Sequence, residues 1–291
     1  MTTNSKHDLH IHSTFSDGTF SPEEIIELGK KLSMKTMAIT DHDCIDGVKP
    51  GIKAAKKEGI NFIPAVEIGS FAGERSIDLL GYFIDPDCQP LIEKLENYRK
   101  GRGERIPKII ARLNELGIHI PENIISEISS SGTLGRPHVA IALTKAGVTK
   151  NLDDAFHRFL AKGKPAYVAR VKMTTSQTIQ LIKDSGGFAV WAHPALPDCD
   201  SNIEKLLVQL IDEGLQGLEV MYPYNKVSRK TPITEKENEK IEDDLIYFAD
   251  KYKLIKTGGS DFHGENKPNV SLGEVIIPEK WIENIFKWTK K

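Results

Sequence analysis

The chain has 291 residues, of which 39% are hydrophobic and 27% are charged, a composition typical of a soluble globular protein with one large domain or two modest ones. Its three cysteines, at positions 44, 88 and 199, are widely spaced, which argues against a disulfide framework or a thiolate zinc site. No apolar run approaches the roughly 18 residues of a membrane-spanning helix, and the first residues lack the apolar segment of a secretory signal. We therefore expect a cytoplasmic protein that does not bind membranes.

The formal net charge of −2 hides an uneven distribution along the chain. Residues 99–172 contain 14 Lys and Arg against 6 Asp and Glu, so this segment carries +8 and the remainder carries −10. The middle of the chain is therefore expected to attract anions. Long duplex nucleic acid is not an expected partner at this overall charge, and no feature of the sequence indicates a protein partner.

The first third of the chain alternates short apolar runs with helix-like segments, the rhythm of βαβ units in a parallel sheet. The predicted elements are a strand at 8–11, a helix at 22–32, a strand at 36–40, a helix at 48–57 and a strand at 62–68. Ser21 can cap the first helix, and Pro22 fits its first turn without losing a hydrogen bond.

Residues 99–164 have a different pattern, in which helical periodicities at 106–116, 137–146 and 152–160 follow one another without strand signals. The alternation then resumes, with helices predicted at 175–183, 203–212, 241–251 and 279–288 and strands at 188–192, 217–221 and 254–257. We therefore predict an α/β domain formed by residues 1–98 and 165–291, interrupted by a mostly helical insertion at 99–164.

Imidazole and carboxylate side chains are clustered where the predicted strands end. They are His10 and His12 after the first strand, Asp41 and His42 after the second, Glu67 after the third, His193 after a later one, and Asp261 and His263 after the last. Because the loops after parallel strands gather on one face of an α/β fold, we expect these side chains to converge. One such histidine alone is more often a hydrogen-bonded structural residue, but five together favour a metal site.

Three aspartates near these clusters have competing interpretations. Asp17, in a Ser-Asp-Gly sequence, fits either a turn or a metal ligand close to His12. Asp41 fits a residue that orients an imidazole, and Asp43 fits the cap of the next helix, so both are left outside the ligand set. Imidazole and carboxylate ligands without thiolates suit Mn²⁺, Fe²⁺ or Zn²⁺.

Together these motifs resemble those of the polymerase and histidinol phosphatase (PHP) family of metallophosphoesterases, over most of the chain outside the insertion. The motifs are DLHIHS at 8–13, SDG at 16–18, TDHD at 40–43, Glu67, AHP at 192–194 and GSDFHG at 259–264. The resemblance implies a distorted (β/α)₇ barrel, similar to a TIM barrel, with two or three divalent ions at the C-terminal face of its strands.

The family pattern also implies which residues hold each ion. His10, His12, Glu67 and Asp261 would hold the first, Glu67 and His193 the second, and Asp17, His42 and His263 the third. The family often supplies another histidine to the second ion, but this sequence has Asp78 at that position. Asp78 as a ligand would favour harder ions such as Mn²⁺, whereas without it the centre would be binuclear.

Within the insertion, Gly135-Arg136-Pro137-His138 precedes an apolar helical pattern, which places a guanidinium and an imidazole at a helix N-terminus. Physical reasoning alone allows either a phosphate site or an ordinary helix start. The motif resembles the PHP subgroup that acts on nucleoside 3′,5′-bisphosphates and short oligonucleotides. By that resemblance Arg136 and His138 would bind a substrate phosphate, and the insertion would cover the metal centre.

The expected activity is the hydrolysis of phosphate monoesters of nucleotides, which releases the 3′-phosphate of a nucleoside 3′,5′-bisphosphate. Hydrolysis at the 5′ ends of short RNA is also expected. The ions, Mn²⁺ above all, would activate water for attack on phosphorus. His193 and Asp261 are the expected catalytic residues, and His193 is one candidate for protonating the leaving oxygen. Two alternatives stay open: a histidinol-phosphatase type of enzyme, and a metal-stabilised binding module without turnover.

Overall fold

The computed structural model describes residues 6–124, 136–168, 173–196, 203–227 and 232–289, and only the backbone at 102, 103 and 137. Gly135 and Cys199, which entered the sequence predictions, lie outside these ranges. The chain forms two compact units, one comprising Met1–Glu93 with Met173–Lys291 and the other Lys94–Lys172. In the ranges described, no helix is long and apolar enough to cross a membrane.

The larger unit begins with a three-stranded parallel sheet in the order β1-β2-β3. Its strands are β1 Lys6–Ile11, β2 Met34–Ile39 and β3 Asn61–Phe62, and helices α1 Pro22–Lys31 and α2 Val48–Glu58 connect them. Ser21 caps α1 as predicted, because its hydroxyl accepts from the N–H of Glu24 while the Glu24 carboxylate accepts from the N–H of Ser21. Ile11, Ile25 and Met37 belong to one buried apolar cluster in this part of the unit.

A six-stranded sheet has the order β6-β4-β5-β7-β8-β9. Its strands are β4 Ala65–Ala72, β5 Arg75–Tyr82, β6 Met173–Thr174, β7 Phe188–Trp191, β8 Gly217–Met221 and β9 Ile255–Gly258. β5 runs antiparallel to both β4 and β7, and the other pairs are parallel. The prediction of a parallel sheet is therefore wrong at β5, because a two-residue turn containing Gly73 (φ 60°) joins β4 directly to β5 as a hairpin. The predicted strand at 62–68 is also interrupted at Pro64, which has no N–H to donate.

Backbone contacts connect the two sheets where the candidate ligands lie. Beyond β9, the N–H of Asp261 donates to the carbonyl of His10 on β1 over 2.8 Å. Beyond β2, His42 forms an isolated bridge with Glu67 on β4. Gly259 permits the first contact, since a Cβ at this position would collide with the Cβ and backbone nitrogen of His10.

The smaller unit contains only helices in its described residues. These are α3 Gln89–Gly103, which starts in the larger unit, α4 Arg105–Glu115, α5 Arg136–Lys145 and α6 Leu152–Ala155, which continues as a π-helix at Phe156–Leu160. The predicted helix at 152–160 is thus α-helical only in its first turn. The smaller unit has an apolar core of its own, and Ile109, Leu113 and Leu143 are among the fully buried residues of that core.

The remaining helices belong to the larger unit. They are α7 Thr175–Asp184, α8 Ile203–Asp212, α9 Tyr224–Val227, α10 Glu235–Lys251 and α11 Glu279–Trp288. The α10 helix begins six residues before the predicted start at 241, because Thr234 and Glu237 form a reciprocal capping box that the apolar pattern does not reveal.

Candidate metal centre

All nine candidate metal ligands lie in the larger unit, and the structure brings them together. Eight of them form three overlapping groups in which one ligand atom per residue lies within 4.8 Å of the others. The groups are His10, His12 and Glu67; Glu67, Asp78 and His193; and His12, Asp17, His42 and His263. Asp261, the ninth candidate, places its Oδ1 3.3 Å from Nε2 of His12.

The three ligand atoms of the first group and one oxygen of Asp261 face one another at short range. Nε2 of His10 and Nε2 of His12 are 3.1 Å apart, and each lies 3.2 Å from Oε2 of Glu67. Oδ1 of Asp261 lies 3.6 Å from the first nitrogen and 3.3 Å from the second. Atoms bound about 2.0–2.2 Å from one ion lie roughly 3.0–3.5 Å from each other. The donor set and its spacing therefore fit a divalent ion.

Glu67 also belongs to the second group, through its other oxygen. Its Oε1 lies 2.9 Å from Nε2 of His193. Asp78 on β5 pairs with Gly69 on β4, two positions from Glu67, so both carboxylates lie on the same face of the hairpin. Asp78 therefore offers a carboxylate oxygen to the second group.

The third group is built around Asp17. Its Oδ1 lies 3.3 Å from Nε2 of His263 and 3.6 Å from Nδ1 of His12, and its Oδ2 lies 3.8 Å from Nε2 of His42. The side chain of Asp17 is 47% exposed, whereas those of His12 and His263 are buried. Solvent therefore reaches the metal centre at this group.

A tyrosine and a lysine hold the outer oxygen of Asp261. The hydroxyl of Tyr222 donates to Oδ2 over 2.6 Å, and Nζ of Lys267 lies 2.5 Å from the same atom. These contacts leave Oδ1 facing the imidazoles. Asp261 has a φ of 57°, in the left-handed region, where a residue other than glycine costs of order 1–3 kcal/mol. Strain of this kind is concentrated at functional sites.

The carboxylates and imidazoles determine each other's protonation. Burial opposes the ionisation of Glu67, but the charge of the His42 imidazole holds the pKa of its carboxyl well below the usual range. Burial also opposes the ionisation of Asp261, while the charge of Lys267 holds its pKa well below the usual range. Burial would lower the pKa of His12, yet hydrogen bonds with Asp261 and Glu67 raise it to about 9. Buried carboxylates in this centre thus stay anionic and stabilise positive charge.

The prediction that the ligands lie at the C-terminal ends of strands is only partly right. His12, His42, His193, Asp261 and His263 follow β1, β2, β7 and β9. Glu67, however, is the third of eight residues in β4, and His10 lies within β1. Glu67 and Asp78 reach the centre from the antiparallel hairpin, where the side-chain face, and not the strand end, decides which residues contribute.

Two buried carboxylates outside the predicted ligand set, those of Glu219 and Asp8, form hydrogen bonds with residues of that set. Oε1 of Glu219, on β8, lies 2.9 Å from Nδ1 of His10, and its Oε2 accepts from the N–H of His193 over 2.7 Å. Asp8 accepts from the N–H and the hydroxyl of Ser260 over 2.9 and 2.5 Å. Sequence reasoning missed Glu219, although an ionisable residue inside the apolar run 217–221 was a usable signal.

The two aspartates left outside the ligand set form hydrogen bonds around the centre. Asp41 accepts from the hydroxyl of Ser16 over 2.7 Å, and the Oγ of Ser16 lies 3.4 Å from Nδ1 of His12. Asp41 is therefore linked to the imidazole of His12 through the hydroxyl of Ser16. Asp43 accepts from the N–H of Gly69 on β4 over 3.1 Å and does not cap α2.

Arg136 and His138, the predicted phosphate ligands, lie in the first turn of α5 in the smaller unit, and both are half-buried. The guanidinium of Arg136 donates to the carbonyl of Leu160 over 3.2 Å. It lies 5.7 and 5.6 Å from the ring centroids of Phe156 and Tyr167. These contacts fix the guanidinium within its own unit, and phosphate binding by either residue stays a prediction.

The sequence of the chain is similar to those of several known proteins. The PHP domain family model matches residues 8–175. A 3′,5′-nucleoside bisphosphate phosphatase of Chromobacterium violaceum is 31% identical over 278 residues, covering 93% of this chain and 92% of that protein. The 5′-3′ exoribonuclease Rnm of Escherichia coli is 28% identical, covering 97% of this chain and 92% of that protein.

A solved structure from Bifidobacterium adolescentis, described as that of a metal-dependent phosphoesterase, has a TM-score of 0.76 and 28% identity and covers 97% of this chain and 96% of that chain. The family model spans more than half of this chain, and the relatives extend over nearly all of it. The predictions of a mixed α/β PHP fold and of hydrolase activity are confirmed. The chain belongs to the PHP domain family and is a metal-dependent phosphoesterase.

Proposed function

We propose that the centre holds two or three divalent ions, with Mn²⁺ preferred over Fe²⁺ and Zn²⁺. The ligands are His10, His12, Glu67 and Asp261 for the first ion, Glu67, Asp78 and His193 for the second, and Asp17, His42 and His263 for the third. The observation that carries this proposal is the position of Glu67, whose two carboxylate oxygens face two different groups of ligands. Ligand sets of imidazole nitrogen and carboxylate oxygen, with an added carboxylate from Asp78, suit Mn²⁺.

When bound, such ions lower the pKa of water and neutralise charge on phosphoryl oxygens. In the proposed reaction, the residues of the chain orient the reacting groups. Oδ1 of Asp261 orients the attacking water, because Tyr222 and Lys267 hold its other oxygen. His193 is one of two candidates for protonating the leaving oxygen, and a water of the centre is the other.

The proposal extends to the architecture around the centre. β1, β2, β4, β5, β7, β8 and β9 form a distorted (β/α)₇ barrel from residues 1–98 and 165–291. The bridges between Ile11 and Phe262 and between His42 and Glu67 support closure, since they link β1 and β2 to the six-stranded sheet. Residues 99–164 are a helical insertion in this barrel, which the helices of the unit Lys94–Lys172 support.

The proposed substrates are nucleotides in the cytoplasm: a nucleoside 3′,5′-bisphosphate, which loses its 3′-phosphate, and the 5′ ends of short RNA. Two relatives that cover nearly the whole chain carry the names of a nucleoside bisphosphate phosphatase and a 5′-3′ exoribonuclease. The excess positive charge of residues 99–172 suits a polyanionic substrate. Arg136 and His138 bind a substrate phosphate in this proposal.

The test is phosphate release from adenosine 3′,5′-bisphosphate, histidinol phosphate and a short 5′-phosphorylated RNA, with Mn²⁺ and with a chelator. We expect chelator-sensitive release from the bisphosphate. Arg136→Ala should raise the KM for the bisphosphate about tenfold or more, because a charge-assisted contact with phosphate is lost. Arg158→Ala, in the same unit and with its side chain 46% exposed, is the matched control and should leave KM unchanged.

The alternatives predict different results in the same assay. Release from histidinol phosphate alone would move the protein to the small-molecule branch of the family. Retained metal with no hydrolysis of any of the three substrates would contradict the proposed nucleotide substrates and favour a metal-stabilised binding module. Equal KM values for Arg136→Ala and wild type would remove Arg136 from the proposed phosphate site.

A further inference from the structure

The carboxylate of Glu219 is fully buried between two candidate ligands that belong to different groups. Its side chain and that of His10 are both 0% exposed, and its Oε1 lies 2.9 Å from Nδ1 of His10. Its Oε2 accepts from the backbone N–H of His193 over 2.7 Å. Each oxygen of the Glu219 carboxylate therefore contacts a different residue of the centre. It does so at Nδ1 of His10 and at the backbone nitrogen of His193, whereas the Nε2 atoms of both rings lie close to Glu67.

The contact with His10 determines which ring nitrogen carries the proton. An ionised carboxylate only accepts hydrogen bonds, so Nδ1 of His10 carries a proton and donates a hydrogen bond to Oε1 of Glu219. The lone pair of a singly protonated imidazole is then on Nε2. Nε2 is the atom that lies 3.1 Å from Nε2 of His12 and 3.2 Å from Oε2 of Glu67. Glu219 therefore presents the lone pair of His10 to the first ligand group.

The contact with His193 holds a strained backbone. His193 has a φ of 32°, in the left-handed region that residues other than glycine rarely adopt. Its N–H needs an acceptor, and Oε2 of Glu219 supplies it over 2.7 Å. The same residue directs its Nε2 to Oε1 of Glu67, 2.9 Å away. Glu219 therefore helps to fix the direction of His193 into the second ligand group.

From these two contacts we infer that Glu219 is a positioning residue that orients His10 and His193 together and so couples the first two ion sites. The inference rests on the proposed metal centre. An isolated carboxylate is unfavourable in an apolar interior, and both of its oxygens here accept from groups of the centre. Partners that orient a ligating histidine in this way typically change metal affinity roughly 10- to 100-fold when they are removed.

The isosteric variant Glu219→Gln is the sharpest test of this inference. The amide keeps the shape of the side chain but presents an NH₂ group to one of the two donors, so one contact is lost or His10 changes tautomer. Val220→Ala is the matched control, because Val220 is equally buried on the same strand and has no polar atom that could accept from a ligand. Circular dichroism and thermal melting establish that both variants are folded.

The first readout is the affinity of the chelator-treated protein for Mn²⁺, measured by electron paramagnetic resonance of the free ion. We expect Glu219→Gln to bind Mn²⁺ roughly 10- to 100-fold more weakly than wild type, and Val220→Ala to bind within twofold of it. A second readout needs no variant. In wild-type protein loaded with diamagnetic Zn²⁺, NMR should show a slowly exchanging proton on Nδ1 of His10.

Four outcomes would overturn the inference, and they are distinguishable. Unchanged Mn²⁺ affinity in folded Glu219→Gln, or an Nε2-protonated His10 in the Zn²⁺-loaded wild type, would show that Glu219 does not position the ligand. An equal loss of affinity in Val220→Ala would show a general effect of core packing. If wild type itself bound neither ion, the proposed metal centre would fail together with the inference.

Discussion

Nε2 of His193 lies 2.9 Å from Oε1 of Glu67, although 126 positions separate the two residues. The other oxygen of Glu67, Oε2, lies 3.2 Å from Nε2 of both His10 and His12. One side chain on β4 is therefore shared by two ligand groups. A change at Glu67 is expected to affect two ions, whereas a change at His193 is expected to affect one.

Replacing Glu67 should therefore reduce the number of metal ions bound per chain by more than replacing a ligand that belongs to only one group. We expect Glu67→Gln to lose more than one equivalent of bound metal and to reduce phosphate release roughly a thousandfold or more, because charge compensation is lost for two ions. Metal content is measured by mass spectrometry after desalting. Glu283→Gln, on the exposed side of α11, is the control and should keep wild-type metal content. Full metal content in Glu67→Gln would contradict a bridging role.

Asp78 decides whether the second group holds an ion. We expect Asp78→Ala to lose about one equivalent of metal, because only Glu67 and His193 would remain in that group. Asp78→His should retain the equivalent and shift preference from Mn²⁺ towards Zn²⁺, since imidazole is a softer ligand than carboxylate. Metal content after incubation with equal concentrations of both ions measures this preference. Equal metal content in wild type and Asp78→Ala would rule Asp78 out as a necessary ligand.

The grouping of most candidate ligands was predictable from short motifs, because most of these motifs place imidazole and carboxylate groups after a strand. His12, His42 and His263 were found in this way, and their convergence follows from the topology. Glu67 was predicted to lie at the end of a strand, but it is the third of eight residues in β4, and its role as a ligand came from the family resemblance.

The residues that sequence reasoning did not find are those whose partners are distant along the chain. Glu219 contacts His10 across 209 positions, and no local pattern relates the two. Likewise, the pairing of β5 with β7, more than 100 positions later, depends on tertiary structure. The helices were predicted more accurately, since their periodicity and caps are local.

Asp8 should be important for stability even though it is not a proposed ligand. Its two oxygens accept four hydrogen bonds, from the N–H of His10, the N–H and hydroxyl of Ser260, and the N–H of Gly273. Asp8→Asn would place an NH₂ group against one of these donors, so we expect a loss of about 2 kcal/mol in the free energy of unfolding. Urea denaturation measures this change.

The matched control for Asp8 is Asp87→Asn, an exposed aspartate paired with Lys49, for which we expect a change below about 0.5 kcal/mol. A wild-type unfolding free energy in Asp8→Asn would show that the hydrogen bonds to Asp8 do not contribute to the stability of the fold.

His7 should make the stability of the protein dependent on pH. It is 1% exposed and lies 3.2 Å from the carboxylate of Glu279, and burial lowers its pKa by more than that carboxylate raises it. A histidine with a lowered pKa in the folded state contributes stability above about pH 6.5, and this contribution is lost as the pH falls towards the folded pKa.

The test of His7 compares chelator-treated wild type with His7→Gln, which cannot titrate. We expect the difference in unfolding free energy, wild type minus variant, to be larger at pH 8 than at pH 5.5. Urea denaturation at both pH values gives the two differences. If they were equal, protonation of His7 would not be coupled to unfolding.

The most direct test of the proposed metal centre is a titration of chelator-treated protein with Mn²⁺, in which bound metal and phosphate release from adenosine 3′,5′-bisphosphate are measured in the same samples. We predict negligible release without metal and a rise in rate that follows the binding of two or three equivalents per chain. Release at the full rate by the metal-free protein would contradict the account, because the buried imidazoles and carboxylates would then have to catalyse hydrolysis without an ion.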